Sequence, residues 1–181
     1  DLIRQDLPWV LENTEELLGV RPVPISAQSG DGVVGKLIPA ILSAQPSVAV
    51  AMAKALPAVR ETIVGRIIRR TAVVNAFISL EPVPGLDIPL LLASQTRLVL
   101  RIGAAYGHSM TVSHARELLT TMAGSLLSRY LGMQLAKLVP GVGWLVSAAL
   151  SAITTFGIGH AARFYFEAGG EIKGPNLRTV Y

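Results

Sequence analysis

Apolar residues recur at helical spacing along most of this chain, and the interruptions divide it. Asp1 to Leu18 carries Leu2, Leu7, Val10, Leu11 and Leu17 with acidic residues between them, which predicts a helix stopped by Gly19. Val20 to Ser26 is a short extended run whose two prolines, Pro22 and Pro24, restrict it to an edge strand or strand ends. Ser29-Gly30-Asp31-Gly32 is turn chemistry, and Val33 to Leu42 returns to helical spacing with Val33, Leu37, Ile38 and Ile41 on one side. Helix, strand, loop and helix make the end of an α/β domain. From Ala44 onward no strand is predicted.

Pro46, within Ser43 to Ser47, interrupts the second helix and sets a boundary. Pro57 sits where a first helical turn tolerates it, and the helix it starts is predicted to run to about Leu80. Its early turns hold Arg60, Arg66, Arg69 and Arg70, whereas Thr71 to Leu80 carries no charge. Glu81 to Asp87 breaks it, and Ile88 to Ala105 forms a second arm with Arg97 and Arg101 one turn apart. Thr111 or Ser113 can cap the next helix, which places Ala115, Leu119, Met122, Leu126, Tyr130 and Met133 at helical spacing among Arg116, Glu117, Arg129 and Lys137. Val142 to Phe166 follows. The break Val83-Pro84-Gly85 recurs as Val139-Pro140-Gly141, and at the same offset Ala93 recurs as Ala149 and Ile102-Gly103 as Ile158-Gly159. The expected fold is therefore mainly α: two helical hairpins with tips at Pro84-Gly85 and Pro140-Gly141, preceded by a helix-strand-helix remnant. The expected segments are 1–43, a connector over 44–56, the hairpins over 57–168 and a tail over 169–181.

Composition adds a question of environment. Of 181 residues, 51% are hydrophobic and only 15% charged, against about 25% charged in soluble domains. Lipid or a partner protein is therefore expected to cover part of the surface. The formal net charge of +4 suits an anionic surface, and the apolar excess favours lipid over nucleic acid, which is not an expected partner. Without cysteine there is neither a disulfide framework nor a thiolate metal site. The chain starts at Asp1 with no basic leader and no apolar signal core, which reads as part of something longer without a targeting peptide.

From Leu138 to Ala162 the one ionisable residue is His160. That is long enough to span a core that needs about 20 apolar residues, with Trp144 near one end and Arg163 and Tyr165 near the other. Ser147, Ser151, Thr154, Thr155 and several glycines dilute it and favour close helix packing. The first hairpin is shorter: its charge-free ascending arm covers roughly 15 Å, half a bilayer. Arginine at both feet and acid at the tip suit a hairpin dipping in from the cytoplasmic side, with Arg66, Arg69, Arg70, Arg97 and Arg101 contacting headgroups or a partner. The same pattern suits a soluble bundle with a solvated tip.

Gly30-Asp31-Gly32-Val33-Val34-Gly35-Lys36-Leu37 satisfies two glycine-loop patterns for phosphate. Leu37 stands where a nucleotide fold needs Ser or Thr to hold magnesium, and helices follow where strands should alternate. The three histidines, His108, His114 and His160, have no carboxylate pair at ligand spacing, so no metal site is expected. No serine sits on a strand-to-helix elbow. No catalytic residue is assigned, and no enzymatic chemistry is expected within this chain.

Two stretches carry a resemblance. Val20 to Leu42, with Ser26-Ala27-Gln28-Ser29-Gly30-Asp31-Gly32, resembles the last strand and helix of an Era-like small GTPase domain. The resemblance implies that Ser26, Ala27 and Gln28 form the loop against the guanine base, although Gln28 replaces the usual lysine. Ala72 to Ala76, Arg97 to Ile102, Tyr106-Gly107-His108, Ala115 to Leu119 and Val139 to Gly143 look like the YcjF-type helical domain of unknown function, which commonly follows such a GTPase domain. The implied function is a non-catalytic membrane-anchoring or effector domain of an Era-like GTP-binding protein, on the cytoplasmic side of a membrane. GTP and magnesium would belong to the full-length protein, with no cofactor in this chain. The alternative is a structural or accessory subunit of a larger membrane complex, in contact with other membrane-protein subunits.

Overall fold

The computed structural model of the chain describes residues 2–19, 22–81, 85–122, 135 and 142–170. It forms two compact units, Asp1–Ala49 and Val50–Tyr181.

The first unit opens with α1 (Leu2–Leu18). Gly19, at φ 64°, closes it by donating its N–H to the Glu15 carbonyl at 2.9 Å, the left-handed stop that glycine adopts without a Cβ penalty. Residues 22–26 belong to no regular element and pair with no strand, and no ladder exists among the described residues. The expected strand is thus corrected to an unpaired run. Pro22 and Pro24 lack the N–H groups a ladder needs. Gly32, at φ 80°, lies so close to this run that a Cβ would stand 2.7 Å from the Pro24 carbonyl oxygen. Val33–Leu37 is a π-helical turn that leads into α2 (Ile38–Ala44), and Pro46–Val48 is a 3₁₀ turn.

The expected connector over 44–56 contains a helix of its own, α3 (Ala49–Ala55). Arg60 covers its C-terminal end, donating from Nε to the Ala53 carbonyl at 2.9 Å and from Nη2 to that of Lys54 at 3.3 Å. Pro57 then starts α4 (Pro57–Ile78), as its fixed φ suits a first turn. Next come α5 (Asp87–Ala105), α6 (Val112–Met122) and α7 (Gly143–Glu167). Gly107, at φ 86°, ends α5. Thr111 caps α6 by accepting the His114 N–H on Oγ1 at 3.2 Å. The remainder of the helix expected beyond Met122, the tip residues Pro84, Pro140 and Gly141, and the tail from 171 lie outside the described residues.

α4, α5 and α7 pack on one another, and α6 packs mainly on α5. Two contacts set the register. Ile68 of α4 fills the space at Gly159 of α7, where a Cβ would meet its side chain at 2.7 Å. Phe166 of α7 lies against Gly103 of α5. Asn75 of α4 and Gln95 of α5 both reach Thr155 of α7. α4 therefore runs antiparallel to both α5 and α7, and one level of the bundle holds residues near 70, 97 and 157.

Candidate membrane-facing end of the helical unit

On one side of that level the bundle has an ordinary core. Val59, Ile63, Val64, Ile67 and Ile68 of α4 are buried with Leu98, Val99 and Ile102 of α5 and with Ile158, Ala161, Ala162 and Phe166 of α7. Charged side chains lie outside: Arg69, Arg70 and Arg97 are exposed, and Arg163 pairs with Glu61. Burial of aliphatic area holds this half together, as in any water-soluble bundle.

Beyond the level the three helices invert together. Asn75 and Ser79 of α4, Asp87 and Gln95 of α5, and Ser147, Ser151 and Thr155 of α7 are all at most 1% exposed. Outward-facing are Val73, Val74 and Phe77 of α4, then Leu86, Ile88, Leu90 and Leu92, then Trp144, Leu145, Val146, Ile153 and Phe156 of α7. Phe77 is 68% exposed and Ile153 66%. Single exposed apolar residues are commonplace, but a belt shared by three helices at one end marks a surface that meets something other than water.

The interior of this end combines one large buried apolar side chain, Leu91 of α5, with a set of hydrogen bonds. Thr155 Oγ1 accepts from Asn75 Nδ2 at 2.9 Å and from Gln95 Nε2 at 3.3 Å, and Ser151 Oγ donates to the Asn75 carbonyl at 3.1 Å. One threonine thereby joins all three helices. Buried polar groups cost free energy unless bonded, so such a seam is stable where the surrounding medium offers the alternative conformations no better partner, as between membrane helices. Ser79 Oγ and Ser147 Oγ are also buried here without a protein partner.

The five arginines expected at a surface gather near the inversion. Arg66 and Arg70 are one turn apart on α4, as are Arg97 and Arg101 on α5. Burial first, and then the neighbouring cations Arg97 and Arg70, disfavour the charged form of Arg101. Among the described residues no carboxylate pairs with any of the five, and Arg66 Nη1 is buried without a hydrogen-bond partner.

Ser26, Ala27 and Gln28 form a closed turn in the first unit. Ser26 donates its N–H to the Asp31 carbonyl at 2.8 Å and accepts the Gly30 N–H at 2.9 Å, while its hydroxyl accepts the Ser29 N–H at 3.2 Å. Ala27 and Gln28 are exposed at its crest. The adjoining glycine pattern is not an open cradle: the N–H groups of Lys36 and Leu37 bond to the Gly32 carbonyl inside the π-helical turn. Gly85, the described part of the first tip, is exposed at φ 91°.

At the opposite end of the helical unit, His108, Ser109, Thr111, His114 and Tyr165 border a cavity of about 590 Å³. His108 and His114 meet no carboxylate in its lining, and no group of three metal-ligating side chains exists among the described residues. His160 packs its ring on Phe156, with centroids 4.4 Å apart. The residues that sequence reading passed over are Asn75, Ser79 and Gln95, while Thr155 was noted with Ser147 and Ser151 only as a packing residue. Their signal was spacing: Asn75 and Ser79 stand four apart, and Ser147, Ser151 and Thr155 repeat every four on one helical face.

Two helices, Asp87–Ala105 and Gly143–Glu167, are long and apolar enough to cross a membrane by length and composition. Residues 44–180 match the model of a family described as a domain of unknown function, DUF697. Over 102 residues the chain is 31% identical to magnetosome membrane protein 22 of Magnetospirillum gryphiswaldense, a match covering 52% of each protein. The chain thus spans about half the length of that curated relative. No solved structure matches it.

Proposed function

The chain belongs to the DUF697 family, and on that premise we propose that its helical unit is a non-catalytic membrane anchor serving an Era-like GTP-binding protein as a YcjF-type effector domain. The observation that carries the anchor is the shared inversion of α4, α5 and α7, with polar side chains inside and large apolar ones outside at the same end. The relative's description as a membrane protein supports it. The surface arginines support a position at the cytoplasmic, more anionic leaflet.

The GTPase connection rests on the turn at Ser26, Ala27 and Gln28, whose exposed crest suits one wall of a guanine pocket completed by other parts of the protein. GTP and magnesium would be held by the full-length protein, and the nucleotide state would shift residues 33–42 and act on the anchor through 44–70. The second reading is a structural subunit of a larger membrane assembly, favoured by the magnetosome membrane protein among its relatives. Here the apolar belt would meet neighbouring subunits instead of lipid.

Vesicle flotation of the chain, prepared without detergent, tests the anchor. Co-flotation is expected, and a monodisperse soluble monomer that stays at the bottom of the gradient overturns it. Nucleotide binding by the full-length protein separates the two readings: specific GTP binding lost on Gln28→Ala supports the GTPase, and none supports the subunit.

A further inference from the structure

The anchor reading leaves open how deep the unit goes, and the register of the three helices answers it. Measured from the inversion, the apolar-faced parts are residues 71–78 of α4, 87–96 of α5 and 143–156 of α7. At 1.5 Å per residue these reach about 12, 15 and 21 Å, against a hydrocarbon core of about 30 Å. Each apolar-faced part is thus shorter than that core, although α7 as a whole has the length and composition to cross it. Length and composition alone would let α5 span, but a span would carry Arg97 and Arg101 into hydrocarbon with no carboxylate among the described residues paired to them.

The arginines require an anion for a separate reason. Arg101 is partly buried, and the like charges of Arg97 on its own helix and Arg70 on α4 add to the cost of its charge, a cost that a counter-charge among them would offset. Guanidinium groups pair with phosphate in a two-pronged geometry and tolerate partial burial better than ammonium. Their level on the bundle is where the outward surface turns from apolar to charged.

We infer that the helical unit enters one leaflet end-on, to the level near residues 70, 97 and 157, and that Arg70, Arg97 and Arg101 there clasp the phosphates of anionic lipid headgroups. This rests on the membrane reading above and goes beyond it in depth and in the residues that meet the phosphates. Asp87 turns into the bundle, so Glu81 is the one exposed acid among the described residues beyond that level. It opposes insertion, and its removal deepens or strengthens it.

The test exploits a chain without cysteine. Single cysteines replace Leu86 and Val142 at the inserted end and Glu61 at the other in the full chain. Each variant is bound to vesicles of phosphatidylcholine with or without phosphatidylglycerol and treated with a membrane-impermeant maleimide outside or trapped within. The expected result is labelling of Glu61→Cys from outside and of neither inserted position from either side until detergent is added. Labelling of Leu86→Cys or Val142→Cys from the lumen means a span and overturns the inference, as does labelling from outside, which means surface docking. Protection without lipid, in a soluble oligomer, assigns the belt to a second copy and overturns it too.

The triple variant Arg70→Gln, Arg97→Gln, Arg101→Gln is expected to lose the preference for anionic vesicles, by about fivefold for each arginine, and Glu81→Gln to bind more tightly. The triple lysine variant retains the charge and controls for folding, alongside circular dichroism. An unchanged anionic preference in the glutamine variant overturns the headgroup assignment. Failure to bind any vesicle overturns the anchor itself, a distinct outcome.

Discussion

Thr155 Oγ1 lies 2.9 Å from Asn75 Nδ2, a contact between residues 80 apart in the chain. With Gln95 as its second donor at 3.3 Å, this hydroxyl is the shared acceptor for three helices. Thr155→Val keeps the shape and removes the acceptor, leaving two buried amide donors short of a partner. A loss of about 1–3 kcal/mol is expected, measured as a lowered midpoint of thermal or denaturant unfolding. Thr155→Ser, which restores the hydroxyl, recovers most of it.

The same substitution at two glycines should act in opposite directions. Gly159→Ala drives a Cβ to 2.7 Å from Ile68 side-chain atoms, including the β-branch, which cannot swing aside. It is expected to cost about 1–3 kcal/mol. At Gly65 a Cβ meets nothing within 4 Å, so Gly65→Ala should stabilise the unit by roughly 0.5–1 kcal/mol through helix propensity. Unfolding midpoints of the pair, compared with the unsubstituted chain, check both signs.

In the first unit Gly32→Ala faces two penalties at once: φ is 80°, and the Cβ would stand 2.7 Å from the Pro24 carbonyl oxygen. Neither can relax without moving the backbone of the unpaired run. A loss of roughly 1–3 kcal/mol is expected, read as faster limited proteolysis between residues 19 and 37. The control, Gly30→Ala, shares the left-handed backbone but has nothing within 4 Å, so it should be milder.

Exposed apolar residues at the inverted end should matter for partition and not for folding. Phe77→Glu and Ile153→Glu each put a charge on the outward belt, where the native side chains are more than 60% exposed. Vesicle binding is expected to fall at least tenfold, as a charge in hydrocarbon costs about 2.5–3.5 kcal/mol on the insertion scale. Helicity in water should change little. Thr62→Glu, on the charged half, should leave binding near its starting value.

Much of the helical unit was legible from residue spacing. Pro57 marked the start of α4, Thr111 the cap of α6, and the charge-free stretches over 71–80 and 142–162 flagged an apolar environment. Such features are local, set by backbone chemistry or by composition within a few turns. The unpaired run before Ser26 was misjudged as a strand because a strand is a pairing, and its partner is a property of the fold.

The inversion could not be read along any one helix. On α4 and α7 the apolar face changes sides part-way, so neither keeps a sustained amphipathic stripe. Sequence alone determined where α4, α5 and α7 lie, that the surface is short of charge, and that arginines stand at the feet of the first hairpin. Only the tertiary structure decided which side chains face inward, because facing depends on register between helices far apart in the chain. Packing Ile68 into Gly159 and Asn75 onto Thr155 brings three separate changes of polarity to one level, and that common level turns a greasy sequence into a surface with a definite depth.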